Sequence, residues 1–114
     1  YQYGVDIIIK DNKDNIVGGI EAEWHGTYWK NVFPFSTLHF LGRKIKYIRD
    51  DIFFIFVNET GTDAVMVTSQ SFKKCKTINI NNRYCHNEKF IDIPNDACIW
   101  HWSNIHDYLG ALFY

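Results

Sequence analysis

The sequence predicts an α/β fold built on a mixed β-sheet, and three stretches carry that expectation. Residues 4–10 and 16–23 are two apolar-rich runs on either side of the turn-forming segment 11–15, which reads as a β-hairpin. Residues 36–48 set Leu38, Leu41, Ile45 and Ile48 at helical steps behind Ser36, an N-cap residue type. Residues 51–57 are an almost unbroken β-branched and aromatic run, the pattern of a strand buried on both faces at the centre of a sheet. The expected order is therefore hairpin, amphipathic helix, buried core strand.

The hairpin carries the chemistry. Side chains alternate faces along a strand, so Glu21 and Glu23 leave the same face of the returning strand. A loop over residues 12–15 sets Asp6 directly opposite Glu21. A loop two residues shorter sets it opposite Gly19 on the same face, and an odd-length loop turns it away. Three carboxylates on one face repel one another, and a hard divalent cation relieves that repulsion. Mg²⁺ or Mn²⁺ held by Asp6 and Glu21, with Glu23 as a further ligand or as proton acceptor for a water, is the site expected here. The alternative is that the three acids form the solvated face of a two-stranded ribbon.

The helix expected over residues 36–48 is weakened by Gly42 and bears the basic residues Arg43, Lys44 and Lys46. Lys44 and Lys46 fall on different helical faces, so at most one of them can reach a given site. Charge runs of this kind also occur as plain solvated faces. After the core strand, residues 58–61 read as a turn and 62–68 as an antiparallel strand. Residues 76–80 and 89–93 alternate as short strands, and the aromatic tail from 97 to 114 has room for a helix after Asp96 or near 105–112.

The 114 residues suffice for one domain with one core, and 46% hydrophobic with 18% aromatic content excludes disorder. The chain starts without Met and without a secretory leader, which reads as one trimmed domain of a longer chain, cytoplasmic by default. Nothing in it is long and apolar enough for a membrane span. A net charge of −1 excludes binding of nucleic acid by bulk charge, so phosphate contacts would be local, from residues such as Lys30, Arg43, Lys44, Lys46 and Arg49. Trp24, Tyr28, Trp29, Phe33, Phe35 and Phe40 interleave with that group and could stack on bases. Roughly two in three of them are expected inside or half-buried, with Trp24 as the wall of a cleft. Cys75, Cys85 and Cys98 are expected as reduced thiols, and His25, His39, His101 and His106 as structural residues.

Taken with the element order, Gly4-Val5-Asp6 followed by Glu21-Ala22-Glu23 resembles the PD-(D/E)XK, or restriction-endonuclease-like, superfamily of nucleases over roughly residues 5–57. The resemblance implies a restriction-endonuclease-like core, a Mg²⁺-dependent deoxyribonuclease activity and DNA as partner, within a restriction, defence or repair system. It implies Asp6 and Glu21 as metal ligands, and Lys44 or Lys46 as the cation that stabilises developing charge. Trp24, Lys30, Arg43 and Lys44 would contact nucleic acid. A homodimer or a neighbouring domain of a longer chain would complete the assembly. Two departures stand out: Glu23 occupies the position of the motif Lys, and no helix precedes Asp6. Both leave open a non-catalytic nucleic-acid- or protein-binding module on a degenerate nuclease scaffold. A small inhibitor or immunity-type interaction protein is the third alternative.

Overall fold

A computed structural model describes residues 6–41, 48–72, 75–81, 83 and 87–113. The chain forms three layers: a C-terminal helix, a five-stranded mixed sheet, and a three-stranded antiparallel sheet.

The hairpin consists of β1 (Ile7–Lys10) and β2 (Ile16–Trp24). Its loop is closed by the Asp11 carboxylate, whose Oδ1 accepts the backbone N–H groups of Lys13 (2.8 Å) and Asn15 (2.9 Å). Those bonds hold the Asp11 carboxyl below the usual carboxylate range, the Asn15 N–H contributing most. Lys10 pairs with Ile16, which encloses five residues, an odd count that would turn Asp6 away from Glu21. A β-bulge between Ile9 and Lys10 corrects this, because the pairs beyond it run Ile9–Gly18, Ile8–Gly19 and Ile7–Ile20. Continued one step, that register would set Asp6, which stands just before β1, opposite Glu21, so the bulge restores the parity that the odd loop alone would lose.

Strand β4 (Ile52–Val57) lies parallel to β2, from Gly19–Ile52 to Trp24–Val57, and is buried along almost its whole length. The reading of residues 51–57 as the central strand is borne out. Strand β5 (Ala64–Val67) returns antiparallel to β4, and β8 (Ile99–Trp100) closes the far edge, giving the order β1-β2-β4-β5-β8. The turn between β4 and β5 is organised by Asn58, which is only 1% exposed. Its side-chain amide donates to Thr62 Oγ1 at 3.2 Å and its Oδ1 accepts the Asp63 N–H at 3.2 Å.

The helix expected over residues 36–48 is corrected for its first part. Residues Thr37–Leu41 form strand β3, and residues 42–47, with Arg43, Lys44 and Lys46, lie outside the described residues. Strand β3 pairs antiparallel with β7 (Glu88–Pro94), which pairs with β6 (Lys76–Ile80), in the order β3-β7-β6. Leu38 and Phe40 both point inward, a period of two that the stretch carries alongside its helical one. Partners decide between the two, since Ile91 and Ile93 of β7 bury against the same cluster as Leu38 and Phe40. That cluster fills the space between the sheets with Ile52, Phe54 and Phe56 of β4, Val65 and Val67 of β5, and Trp29.

On the other face of the large sheet lies α2 (Trp102–Phe113), which the aromatic tail was expected to allow. Ile105 is buried there with Ile20, Phe53, Ile55, Ala64 and Met66, flanked by Tyr108, Leu109 and Phe113. The helix start is pinned by the Trp102 indole N–H, which donates to Gly61 O at 2.8 Å, and by the His101 N–H on Ala64 O at 2.8 Å. A four-residue helix α1 (Ser69–Phe72) follows β5. No helix among the described residues is long and apolar enough to cross a membrane.

Candidate functional site

Strand β2 sorts its side chains by parity. Ile20 is buried on the α2 side, and Glu21 and Glu23 leave the opposite face, registered against Phe54 and Phe56 of β4. Both glutamates are half-buried at the rim of the inter-sheet core. Asp6, opposite Glu21 by register, uses its Oδ2 to accept the Ala22 backbone N–H at 2.8 Å, extending the β1–β2 ladder by one side-chain bond. Glu21 and Glu23 thus share one face, as alternation predicts, whereas Asp6 stands one residue before β1 and turns its carboxylate to the β2 backbone. Among the described residues, no three His, Cys, Asp or Glu side chains are gathered closely enough to hold a metal ion unaided.

The same parity continues past β2 to His25, whose backbone N–H donates to Val57 O at 2.8 Å and so prolongs the pairing with β4. The His25 ring lies 4.5 Å from the Phe56 ring, centroid to centroid. Its Nε2 is 3.1 Å from Glu23 Oε2, and its Nδ1 contacts the Tyr28 hydroxyl. Burial pushes the imidazole below its ordinary range, so the Glu23 contact is a hydrogen bond from a neutral ring rather than an ion pair. Burial also pushes the Tyr28 hydroxyl up to about 12, which keeps its proton in place. The consistent arrangement is Tyr28 O–H donating to His25 Nδ1 and His25 Nε2–H donating to Glu23. The signal for His25 was in the sequence: 21, 23 and 25 continue one alternation, although His25 reads there as a structural residue.

Beyond His25 lies a cavity of about 410 Å³, walled by His25, Tyr28, Phe33, Phe35, His39 and Phe90. Tyr28 and Phe35 come from the loop between β2 and β3 and are 40% and 55% exposed, while His39 and Phe90 come from β3 and β7. His39 Nε2 sits 3.2 Å from Asp92 Oδ1, a buried oxygen that this contact does not satisfy with an aligned hydrogen bond.

The remaining sequence candidates separate. Trp24 leaves β2 on the face opposite the glutamates, 63% exposed; its indole N–H donates to Glu59 O at 3.2 Å and its ring covers Gly26, where a Cβ would collide with it. Lys30 is exposed and lies 3.8 Å from Glu59. Of the six interleaved aromatics, Trp29, Phe33 and Phe40 turn inward, whereas Trp24, Tyr28 and Phe35 remain exposed. Cys75 and Cys98 are free thiols, and burial pushes the Cys98 thiol up to about 12, far from a reactive thiolate; Cys85 lies outside the described residues. His101, expected to pack in the tail, is instead exposed, with its Nδ1 2.9 Å from Asp63 Oδ1; His106 is also exposed. Comparison with known proteins returned no matching family model, no matching curated protein and no matching solved structure.

Proposed function

We propose that the chain is a metal-dependent phosphodiesterase acting on DNA, with its centre at Asp6, Glu21 and Glu23. The observation that supports this reading is the bulged register of β1 on β2, which, continued one residue beyond Ile7, brings Asp6 level with Glu21, while Glu23 leaves β2 on the same face as Glu21. The donor set is all hard oxygen and fits Mg²⁺ or Mn²⁺, which take one or two carboxylates and complete their shell with water and phosphate oxygens. When bound, the metal supplies charge neutralisation at the phosphate and a lowered pKa for water.

The Ala22 N–H engages Asp6 Oδ2, and the Asp6 carboxylate would be one of the residues that hold the metal. Glu21 supplies the second ligand. Glu23, hydrogen-bonded to His25 through Oε2, would accept the proton of the attacking water as the phosphorus–oxygen bond opposite breaks. Lys44 or Lys46 supplies the cation that the Glu23 substitution removes from the motif.

Titration of Mn²⁺ into the wild type and into Glu21→Ala, followed by plasmid nicking on the same samples, tests the proposal. The expected result is metal binding and nicking in the wild type and neither in the variant. A wild type that binds no metal overturns it. The second reading, a binding module without catalysis, is favoured by the fact that one oxygen each of Asp6 and Glu23 is already engaged by the chain's own donors. It predicts nucleic-acid or protein binding that survives both EDTA and Asp6→Ala.

A further inference from the structure

We infer that the aromatic cavity next to Glu23 binds one unstacked nucleobase of a single-stranded nucleic acid. The link to a scissile phosphate rests on the phosphodiesterase reading; the chemistry of the cavity does not.

Its volume, about 410 Å³, falls in the range of small-ligand pockets. Its walls are rings. Tyr28 and Phe35 lie 5.5 Å apart at 53°, Tyr28 and Phe33 6.1 Å apart at 70°, and His39 and Phe90 6.0 Å apart at 49°. None of these pairs is stacked face to face; Tyr28 and Phe33 meet edge to face, and the Tyr28–Phe35 and His39–Phe90 pairs are tilted. Tyr28 and Phe35 keep 40% and 55% of their surface in water, an unfavourable exposure that a flat π-ligand would relieve. Ser36, Thr37 and His39 line the same space and provide donors and acceptors for the edge of a base. A base paired within a duplex cannot enter a recess lined this way, so the ligand is a base already unstacked or turned out of its helix.

Position supplies the second argument. His25 belongs both to the cavity wall and to the hydrogen-bonded pair with Glu23, at 3.1 Å. A nucleotide whose base occupies the cavity therefore carries its phosphate beside the carboxylate face. Stacking on aromatic side chains is tolerant of base identity, so the site selects strandedness rather than sequence.

The test uses a short single-stranded oligodeoxynucleotide carrying one 2-aminopurine, whose fluorescence falls on stacking, titrated with protein in EDTA so that no cleavage intervenes. Quenching and binding are expected for the wild type and for Phe35→Trp, with affinity weakened about fivefold or more in Phe35→Ala, and with the signal of the same label in a duplex, already low from stacking, unchanged by the protein. Phe35 is exposed, so its replacement leaves the core intact. Equal affinity of the wild type and Phe35→Ala, or no quenching by the wild type, overturns the inference. Quenching without any metal-dependent nicking would remove the catalytic reading and leave the base site standing, whereas nicking without quenching would do the reverse.

Discussion

The two faces of β2 have opposite fates. On one, Ile20 is sealed beneath α2 together with Phe53, Ile55, Met66 and Ile105. On the other, Glu21 and Glu23 reach only the rim of the second core, because the three-stranded sheet covers β4 and β5 and no residue of β2 joins the cluster between the sheets. A strand placed between an edge strand and the central strand can thus be sealed on one face and only half-covered on the other. The hydrophobic effect anchors the first face, and the second stays open enough to meet a ligand. The difference follows from alternation together with the limited width of the covering sheet.

Core truncations should break the comparison most severely. Phe54→Ala, at a ring 1% exposed between the sheets, should cost about 3–5 kcal/mol, and Ile105→Ala, beneath α2, about 2–5 kcal/mol, both read from urea unfolding. If Phe54→Ala costs less than about 1 kcal/mol, the second sheet is not a packed layer over the glutamate face. Asn58→Ala should cost about 1–3 kcal/mol, because it removes the hydrogen bonds that the buried Asn58 side chain makes with the Asp63 N–H and with Thr62 Oγ1. Gly61, at φ +75°, sits in the turn that receives the Trp102 indole. Replacing it with Ala should cost about 1–2 kcal/mol through the left-handed backbone. A smaller effect would show that this turn adjusts without disturbing α2.

The subtlest expected effect is on pH dependence. His25 is buried with its pKa below the unfolded value, so the unfolded chain takes up the proton first as pH falls. Its contribution is present in full above the ordinary imidazole pKa and is lost as pH drops from there towards the folded value. The urea midpoint of the wild type should therefore fall between pH 7.5 and pH 5.5 by more than that of His25→Gln. Parallel pH profiles would mean that the ring titrates alike in the folded and unfolded chain, as an imidazole open to solvent does, and would remove its burial as the cause of its orientation toward Glu23.

Much of the carboxylate face is legible in the chain. The alternation of Glu21 and Glu23, the turn-forming segment 11–15 and the apolar run 51–57 each depend on local pattern, and local pattern is what a strand period reports. The aromatic cavity is not legible in the same way. Its walls come from Tyr28 and Phe35 on one loop and from Phe90 more than fifty residues later, brought together by the pairing of β3 with β7. The correction at residues 37–41 has a related cause. Leu38 and Leu41 suit a helix while Leu38 and Phe40 suit a strand, and a short window satisfies both. Propensity cannot arbitrate between periods that coincide; the buried partners Ile91 and Ile93 can.

The sequence by itself determined which residues share a face: Glu21 with Glu23 and His25, and Ile20 apart from them, because alternation is a property of the extended backbone. Only the tertiary structure decided that an odd loop is corrected by a bulge between Ile9 and Lys10, and that a second sheet stands where a helix was expected. Register and layer are settled by contacts between residues distant along the chain, and those contacts are energies of packing rather than properties of any one segment.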